Sequence, residues 1–223
     1  MLERDIRLVR IIRKKIHGNN KYFVQLSVEG APAVKHAADG SLLHPIKDAS
    51  IGIYIDASTL TIATSEDEIH TIDISSEDPK TIERSRRISE LKSYMAHSRN
   101  ISHTETNNYI RAREQLSDLY RIEAEQRKIR AYSIANEVLS YGSDICVNDY
   151  QFAYVQSHSG YSRNPDRGSK KIRDNAPAQI LRILDNKLVA AGKEPVKRVK
   201  IRIDRTIPDY REQAAKRLYE LTL

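Results

Sequence analysis

The feature that most constrains the fold is a change in the spacing of apolar residues near Asp78. Before it, three short apolar runs predict β-strands at Ile51–Ile55, Leu60–Thr64 and Ile69–Ile74. Only four residues, 56–59, separate the first two runs, which favours an antiparallel pair. At Asp78 the spacing becomes helical, and Asp78-Pro79 is typical of an N-cap followed by proline at the first helical position.

Two helices are expected from this point. The first has an apolar face of Ile82, Ile88, Leu91 and Met95, and a polar break from His97 to Thr106 follows it. The second runs from about Asn107 to Ser140, and Gly142 is well placed to end it. Its apolar stripe consists of Tyr109, Leu116, Leu119, Ile122, Ile129, Ile134 and Leu139.

The rest of the chain alternates strand and helix. We expect a buried strand at residues 145–147, a basic loop to about Asp174, a helix at 176–191, a strand at Val199–Ile203 and a last helix at 209–221. At the start, residues 5–16 and 21–29 predict a β-hairpin around His17-Gly18-Asn19-Asn20, and residues 30–50 predict a linker. This order predicts an α/β fold: an RNase H-like (RuvC) mixed five-stranded sheet flanked by helices, with an N-terminal β-hairpin. Residues 1–50 would form the hairpin and linker, and residues 51–223 the RNase H-like domain, with a long helical hairpin inserted at about 79–141.

The charge balance indicates the class of partner. Lys and Arg number 37 against 30 acidic residues, which gives a formal charge of +7 and a pI near 9.4. Such a surplus favours nucleic acid over an acidic substrate, although a basic solvated surface would give the same balance. The single cysteine, Cys146, can form neither an intrachain disulfide nor a zinc site alone. Without an apolar run of membrane length or a signal-type start, the sequence predicts a cytoplasmic protein.

Several blocks of sequence resemble one family. Residues 53–63 (IYIDASTLTIA) are similar to the first RuvC motif of the TnpB-like RNA-guided nucleases of insertion sequences, which are related to type V CRISPR effectors. Residues 9–16 and 21–30 resemble the strands before that motif, residues 142–148 (GSDICVN) the second motif, and residues 172–188 the helix after it. The resemblance covers about residues 9 to 191. It implies a core reduced by loss of the family's Cys-rich zinc insert and recognition regions.

The resemblance also implies where the acidic residues for two Mg²⁺ ions would stand. Asp56 matches the family's first aspartate, but Asn148 stands in place of the glutamate and Arg211 in place of the last aspartate. We therefore expect a vestigial site, in which Arg211 forms an ion pair with Asp56. The alternatives are Asp149 and Asp209: a displaced set would consist of Asp56, Asp149 and either Asp209 or Glu212. Without such a set, Asp149 is a loop residue and Asp209 a helix N-cap.

Basic residues supply the candidate nucleic-acid contacts. They lie in the loop after residue 160 and at the start of the first long helix, and comprise Tyr161, Arg163, Arg167, Lys170, Lys171, Arg173, Arg84, Arg86 and Arg87. A flexible basic segment with a tyrosine can follow a phosphate backbone and stack on bases. The same loop could equally be a solvated one.

The sequence is consistent with three functions. The first is a nuclease-deficient, TnpB-like nucleic-acid-binding protein without cofactor. It would take part in RNA-guided DNA binding or regulation within a larger ribonucleoprotein, with RNA or DNA and another subunit or a second copy as partners. The second is a divergent Mg²⁺-dependent nuclease with shifted acidic residues. The third is a scaffold subunit that binds no nucleic acid.

Overall fold

The computed structural model describes residues 5–30, 36–75, 78–101, 106–150, 152, 171–204 and 206–223. The elements in chain order are β1 (Ile6–Ile16), β2 (Asn19–Val28), β3 (Ser50–Ile55), β4 (Thr59–Ala63), β5 (Ile69–Asp73), α1 (Pro79–Ile101), α2 (Asn107–Tyr141), β6 (Asp144–Asn148), α3 (Pro177–Ala190), β7 (Lys197–Val199) and α4 (Tyr210–Glu220). Residues 171–175 are also helical. The protein is therefore an α/β protein with an N-terminal antiparallel hairpin and a five-stranded mixed sheet flanked by helices.

The chain forms two compact units. One comprises Met1–Ala33 with Glu77–Gln126, and the other comprises Val34–Ser76 with Arg127–Leu223. Helix α2 contributes to both units. The division into residues 1–50 and 51–223 stays a prediction. None of the described helices is long and apolar enough to span a bilayer.

The first unit contains the predicted hairpin, with a shorter turn than expected. Ile16 pairs with Asn19, so the turn is His17-Gly18 alone, and both residues have positive φ (49° and 77°). A two-residue turn of this kind matches the twist of the strands, so Asn19 and Asn20 are free to join β2. The turn contacts α2, because the backbone amide of His17 donates a hydrogen bond to Asp118 Oδ2 at 3.0 Å.

Helices α1 and α2 follow the predicted periodicity in part. Asp78 caps α1 as expected, since its Oδ1 accepts from the amides of Lys80 (2.9 Å) and Thr81 (3.0 Å). The helix continues to Ile101, so the predicted polar break begins too early: its polar residues lack a helix-stopping Gly or Pro.

The predicted apolar stripes are wrong at two positions. Ile82 and Ile129 are 59% and 63% exposed. At 100° per residue, Ile82 points about 120° away from the buried Ile88, and Ile129 about 160° away from the buried Ala131. Elsewhere on the stripes Ile88, Leu91, Tyr109, Ile134 and Leu139 are buried, as expected.

The second unit contains the five-stranded sheet, in the order β5-β4-β3-β6-β7. Strand β4 pairs antiparallel with both β3 and β5, which confirms the expected pairing of the first two strands. Strands β6 and β7 continue the sheet parallel to β3. The predicted last strand, Val199–Ile203, is displaced towards the N-terminus and lies at Lys197–Val199. Its pairing ends at Asn148↔Val199, because β6 ends at Asn148.

The central strand β3 is covered on both faces. Ile51, Ile53 and Ile55 belong to a core that includes residues of α2 and α3. The other face, which includes Tyr54, packs on α4 through Ala214, Ala215 and Leu218. Gly52 allows this close approach, since a Cβ there would lie 2.1 Å from the backbone nitrogen of Tyr219. Helix α4 is thus held directly against the strand that leads to Asp56.

Candidate functional site at the ends of β3 and β6

Asp56 follows the last residue of β3 and has both carboxylate oxygens engaged. Its Oδ1 accepts from the backbone amides of Ser58 (2.8 Å) and Thr59 (2.9 Å), which closes the turn to β4. Its Oδ2 accepts from Arg211 Nε at 2.9 Å and lies 2.8 Å from Nη2. The Asp56 side chain is only 15% exposed. The carboxylate is therefore already neutralised by a guanidinium.

Arg211 reaches Asp56 from the first turn of α4. Burial acts to lower the pKa of the Arg211 guanidinium, but Asp56 and Tyr210 offset it, and the pKa is raised above its ordinary value. The guanidinium lies 5.4 Å from the centre of the Tyr210 ring, and that ring meets Tyr54 edge-to-face at 5.9 Å. The expected ion pair is confirmed, and it links α4 to the end of the central strand.

Asn148, the last residue of β6, is used by the sheet itself. Its Oδ1 accepts from the Ile55 amide at 2.7 Å, and its Nδ2 donates to the Ile55 carbonyl at 3.0 Å. The side chain thus replaces a strand partner just beyond the last β3–β6 pair, Ile53↔Val147. The residue is 5% exposed. A carboxylate could not make this pair of bonds, because only the amide offers both a donor and an acceptor.

The two alternative acids have other surroundings. Asp149 is half-buried, and its amide donates to the Val199 carbonyl at 2.8 Å, which extends the β6–β7 pairing by one bond. Asp209 occupies the N-cap position of α4, but its side chain makes no capping hydrogen bond. In the part of the chain described, no three His, Cys, Asp or Glu side chains group together as a metal site would require.

The residues present do not fit a pair of magnesium ions. Mg²⁺ prefers carboxylate and water oxygens in octahedral geometry. At this position Asp56 is bound by Arg211, Asn148 offers a neutral amide whose two ends are occupied, and Arg211 is itself a cation. The charge that two divalent cations need is missing from this donor set.

The sequence reasoning missed one residue that shapes the site. Asn175 is buried, and its Nδ2 donates to the carbonyl of Ala57 at 2.6 Å, so it holds the turn after Asp56 from the side of α3. The signal for its burial was spacing: Asn175 lies three residues after the buried Ile172, on the same helical face.

The basic candidates fall into three groups. Near the start of α1, Arg84 donates to Thr81 Oγ1 at 2.9 Å, Arg86 pairs with Glu83 and Glu90, and Arg87 pairs with Glu90. In the second unit, Lys171 is exposed and Arg173 lies 3.3 Å from Asp174. The remaining four, Tyr161, Arg163, Arg167 and Lys170, lie outside the described residues.

Comparison with known proteins gave no match, either among protein-family models or among curated proteins.

Proposed function

We propose that this chain is a nuclease-deficient, RuvC-type nucleic-acid-binding protein of the TnpB-like kind, acting in RNA-guided DNA binding or regulation within a larger ribonucleoprotein. The observation that carries the proposal is the ion pair between Asp56 and Arg211, with atoms 2.8 Å apart. A guanidinium paired with Asp56 in place of the third acid removes the negative charge on which two-metal hydrolysis depends.

The sheet supports the RNase H-like part of the proposal. RNase H-like folds have three antiparallel strands followed by two parallel ones, with the first strand in the middle. The order β5-β4-β3-β6-β7 and its strand directions agree with that arrangement. The end of the first sheet strand, the end of β6 and the last helix meet at Asp56, Asn148 and Arg211, as the resemblance implies.

The charge supports the nucleic-acid part of the proposal. Besides the surplus of +7, the two hairpin strands carry six cations and no acidic residue: Arg7, Arg10, Arg13, Lys14, Lys15 and Lys21. Of these, Arg7 pairs with Glu29 and Lys15 with Glu114. The other four form no ion pair with any residue that the structure describes, and cations on an exposed strand are suited to contact phosphates.

The direct test combines binding and cleavage. Fluorescence anisotropy with labelled single-stranded RNA, duplex DNA and an RNA–DNA hybrid, at increasing KCl, should show affinity that falls steeply with salt. The same substrates with MgCl₂ or MnCl₂ should remain intact. Metal-dependent cleavage that Asp56→Ala abolishes would instead establish a divergent nuclease. Absence of salt-dependent binding to all three would favour a scaffold.

A second experiment tests whether the site around Asp56 corresponds to a metal site in which Arg211 stands in place of an acidic ligand. Arg211→Asp replaces the guanidinium by a second carboxylate beside Asp56, and we expect the variant to gain Mn²⁺ binding in calorimetry. Arg217→Asp, at an exposed position of the same helix, makes the same change of charge away from the pocket and should gain none. Equal Mn²⁺ binding by both variants, or none by either, would contradict the conversion.

A further inference from the structure

The hairpin of the first unit has two faces of different chemistry. In an antiparallel pair, residues opposite each other share a face, so the register defines each face. One face, called here the aliphatic face, has three cross-strand pairs followed by an aromatic residue. Its apolar members are Ile6, Val9, Ile11, Tyr22, Val24, Leu26 and Val28; Arg13, opposite Tyr22, and the pair Lys15↔Asn20 continue the same face towards the turn. All seven are exposed, from 40% for Val28 to 75% for Ile11.

A β-bulge extends the aliphatic face towards the open end of the hairpin. The register shifts between Ile6 and Leu8, so Arg7 is the extra residue of β1. Without that shift, Ile6 would stand opposite a residue of the other face. With it, Ile6 pairs with Val28, which alternation puts on the same side as Leu26 and Val24. The bulge thus adds a third aliphatic pair to the face.

The opposite face mixes polar and apolar residues and is partly covered. It includes the pair Arg10↔Gln25 and the pair Lys14↔Lys21. Of its four apolar residues, Ile12 and Ile16 are half-buried, and Leu8 and Phe23 are each 44% exposed. Every residue of the aliphatic face is exposed. Within the first unit, the aliphatic face therefore presents the larger exposed apolar surface of the hairpin.

The apolar side chains of this face favour contact with a protein surface over contact with nucleic acid. Val, Ile and Leu side chains offer no donor or acceptor to phosphates or base edges, and they gain free energy only by leaving water. The seven side chains expose on the order of 700 Å², close to the ~800 Å² that each partner contributes to a standard interface. Monomers rarely expose an apolar patch this large.

We propose that the aliphatic face is the dimerisation surface for a second copy of this chain. Two identical faces complement each other when a two-fold axis passes near the centre of the patch, between Val9 and Ile11, with the hairpins antiparallel. Val9↔Leu26 of one copy then packs on Ile11↔Val24 of the other, and Ile6↔Val28 packs on Tyr22 and the aliphatic stem of Arg13. Because the hairpins are antiparallel, Arg13 and Lys15 of one copy lie at the opposite end of the interface from Arg13 and Lys15 of the other copy. The like charges of the two copies therefore do not repel each other.

The test uses the full chain in sedimentation velocity over a concentration series. We expect a dimer in the micromolar range and at least a 100-fold weaker dimer for Ile11→Glu. Gln25→Glu adds the same charge to the other face of the hairpin and should leave the dimer unchanged. Circular dichroism of each variant verifies that the hairpin unit remains folded.

Crosslinking tests the orientation of the two copies. Because Cys146 is buried, an introduced cysteine reports on its own position. Ile11→Cys, near the proposed axis, should form a disulfide-linked dimer on mild oxidation, and Arg13→Cys, towards one end, should form much less.

Three results would overturn the proposal. They are a wild type that stays monomeric at 100 µM, a dimer that Ile11→Glu leaves intact, and a dimer that nuclease treatment dissociates. The last would mean that nucleic acid joins the copies. None of them bears on the Asp56–Arg211 site, which the cleavage and metal-binding experiments test separately.

Discussion

Asn148→Asp is the most informative single change, because it exchanges one amide group for a carboxyl of the same shape. In the wild type, Asn148 donates to the Ile55 carbonyl at 3.0 Å and accepts from the Ile55 amide at 2.7 Å. The introduced carboxylate keeps the acceptor and loses the donor. It would place a negative oxygen against the Ile55 carbonyl oxygen in a buried position.

The magnitude follows from these contacts. Loss of a buried hydrogen bond that leaves a partner unsatisfied costs about 1–3 kcal/mol, and more when the remaining group is charged. We expect the free energy of unfolding to fall by about 3 kcal/mol at pH 7. For a chain of this size that corresponds to a decrease in Tm of roughly 6–12 °C.

The effect should depend on pH in a defined direction. Burial and the facing carbonyl oxygen favour the protonated acid, so the pKa of the introduced carboxyl is raised in the native state above its unfolded value of about 3.9. Between the two pKa values the native state holds a proton that the unfolded state has released. Stability relative to the wild type is therefore greatest below about pH 4 and falls as pH rises through the native-state pKa.

Urea denaturation followed by circular dichroism at pH 4 and pH 7 measures this dependence. Asn186→Asp, at an exposed position of α3, introduces the same charge and should change stability by less than about 0.5 kcal/mol at both pH values. If Asn148→Asp unfolds like this control at pH 7, or if its deficit is the same at both pH values, the amide does not hold β6 to β3 as described.

Three further changes test other contacts of the second unit. Gly52→Ala should destabilise the sheet unit by more than about 3 kcal/mol in urea denaturation, because α4 backbone atoms occupy the space of its Cβ; near-wild-type stability would mean that α4 does not lie on β3. Combined in a double-mutant cycle, Arg211→Ala and Asp56→Asn should show a coupling energy of about 1 kcal/mol, reduced by the 41% exposure of the arginine side chain; zero coupling would argue against the ion pair. Hydrogen bonding and charge from Lys193 lower the pKa of Asp48, so Lys193→Met should raise it towards its ordinary value in a carboxyl NMR titration. Because a depressed pKa adds stability above the unfolded value, that contribution disappears as pH falls and should be smaller in Lys193→Met; an unchanged Asp48 titration would contradict the contact.

Most elements could be placed from the amino-acid sequence alone, because strand alternation, helical spacing and caps are local properties. The strands β3 to β6, the cap at Asp78 and the span of α2 follow from their own residues. The predictions were wrong where a neighbouring element determines the end of a strand or the exposure of a residue. Strand β7 lies at residues 197–199 because β6 offers no partner beyond Asn148, and Ile129 is exposed because the sheet packs on another side of α2.

For the site, the sequence supplied the identities of Asp56, Asn148 and Arg211 and the expectation that the first and last would pair. The partners of each side chain became known only from the folded structure. Asn148 is bound at both ends by the Ile55 backbone, and Asn175 holds the turn after Asp56 across 118 residues of sequence. Hydrogen bonds between distant segments depend on the packing of the sheet and helices. No local spacing encodes them, because their partners come together only when the chain has folded.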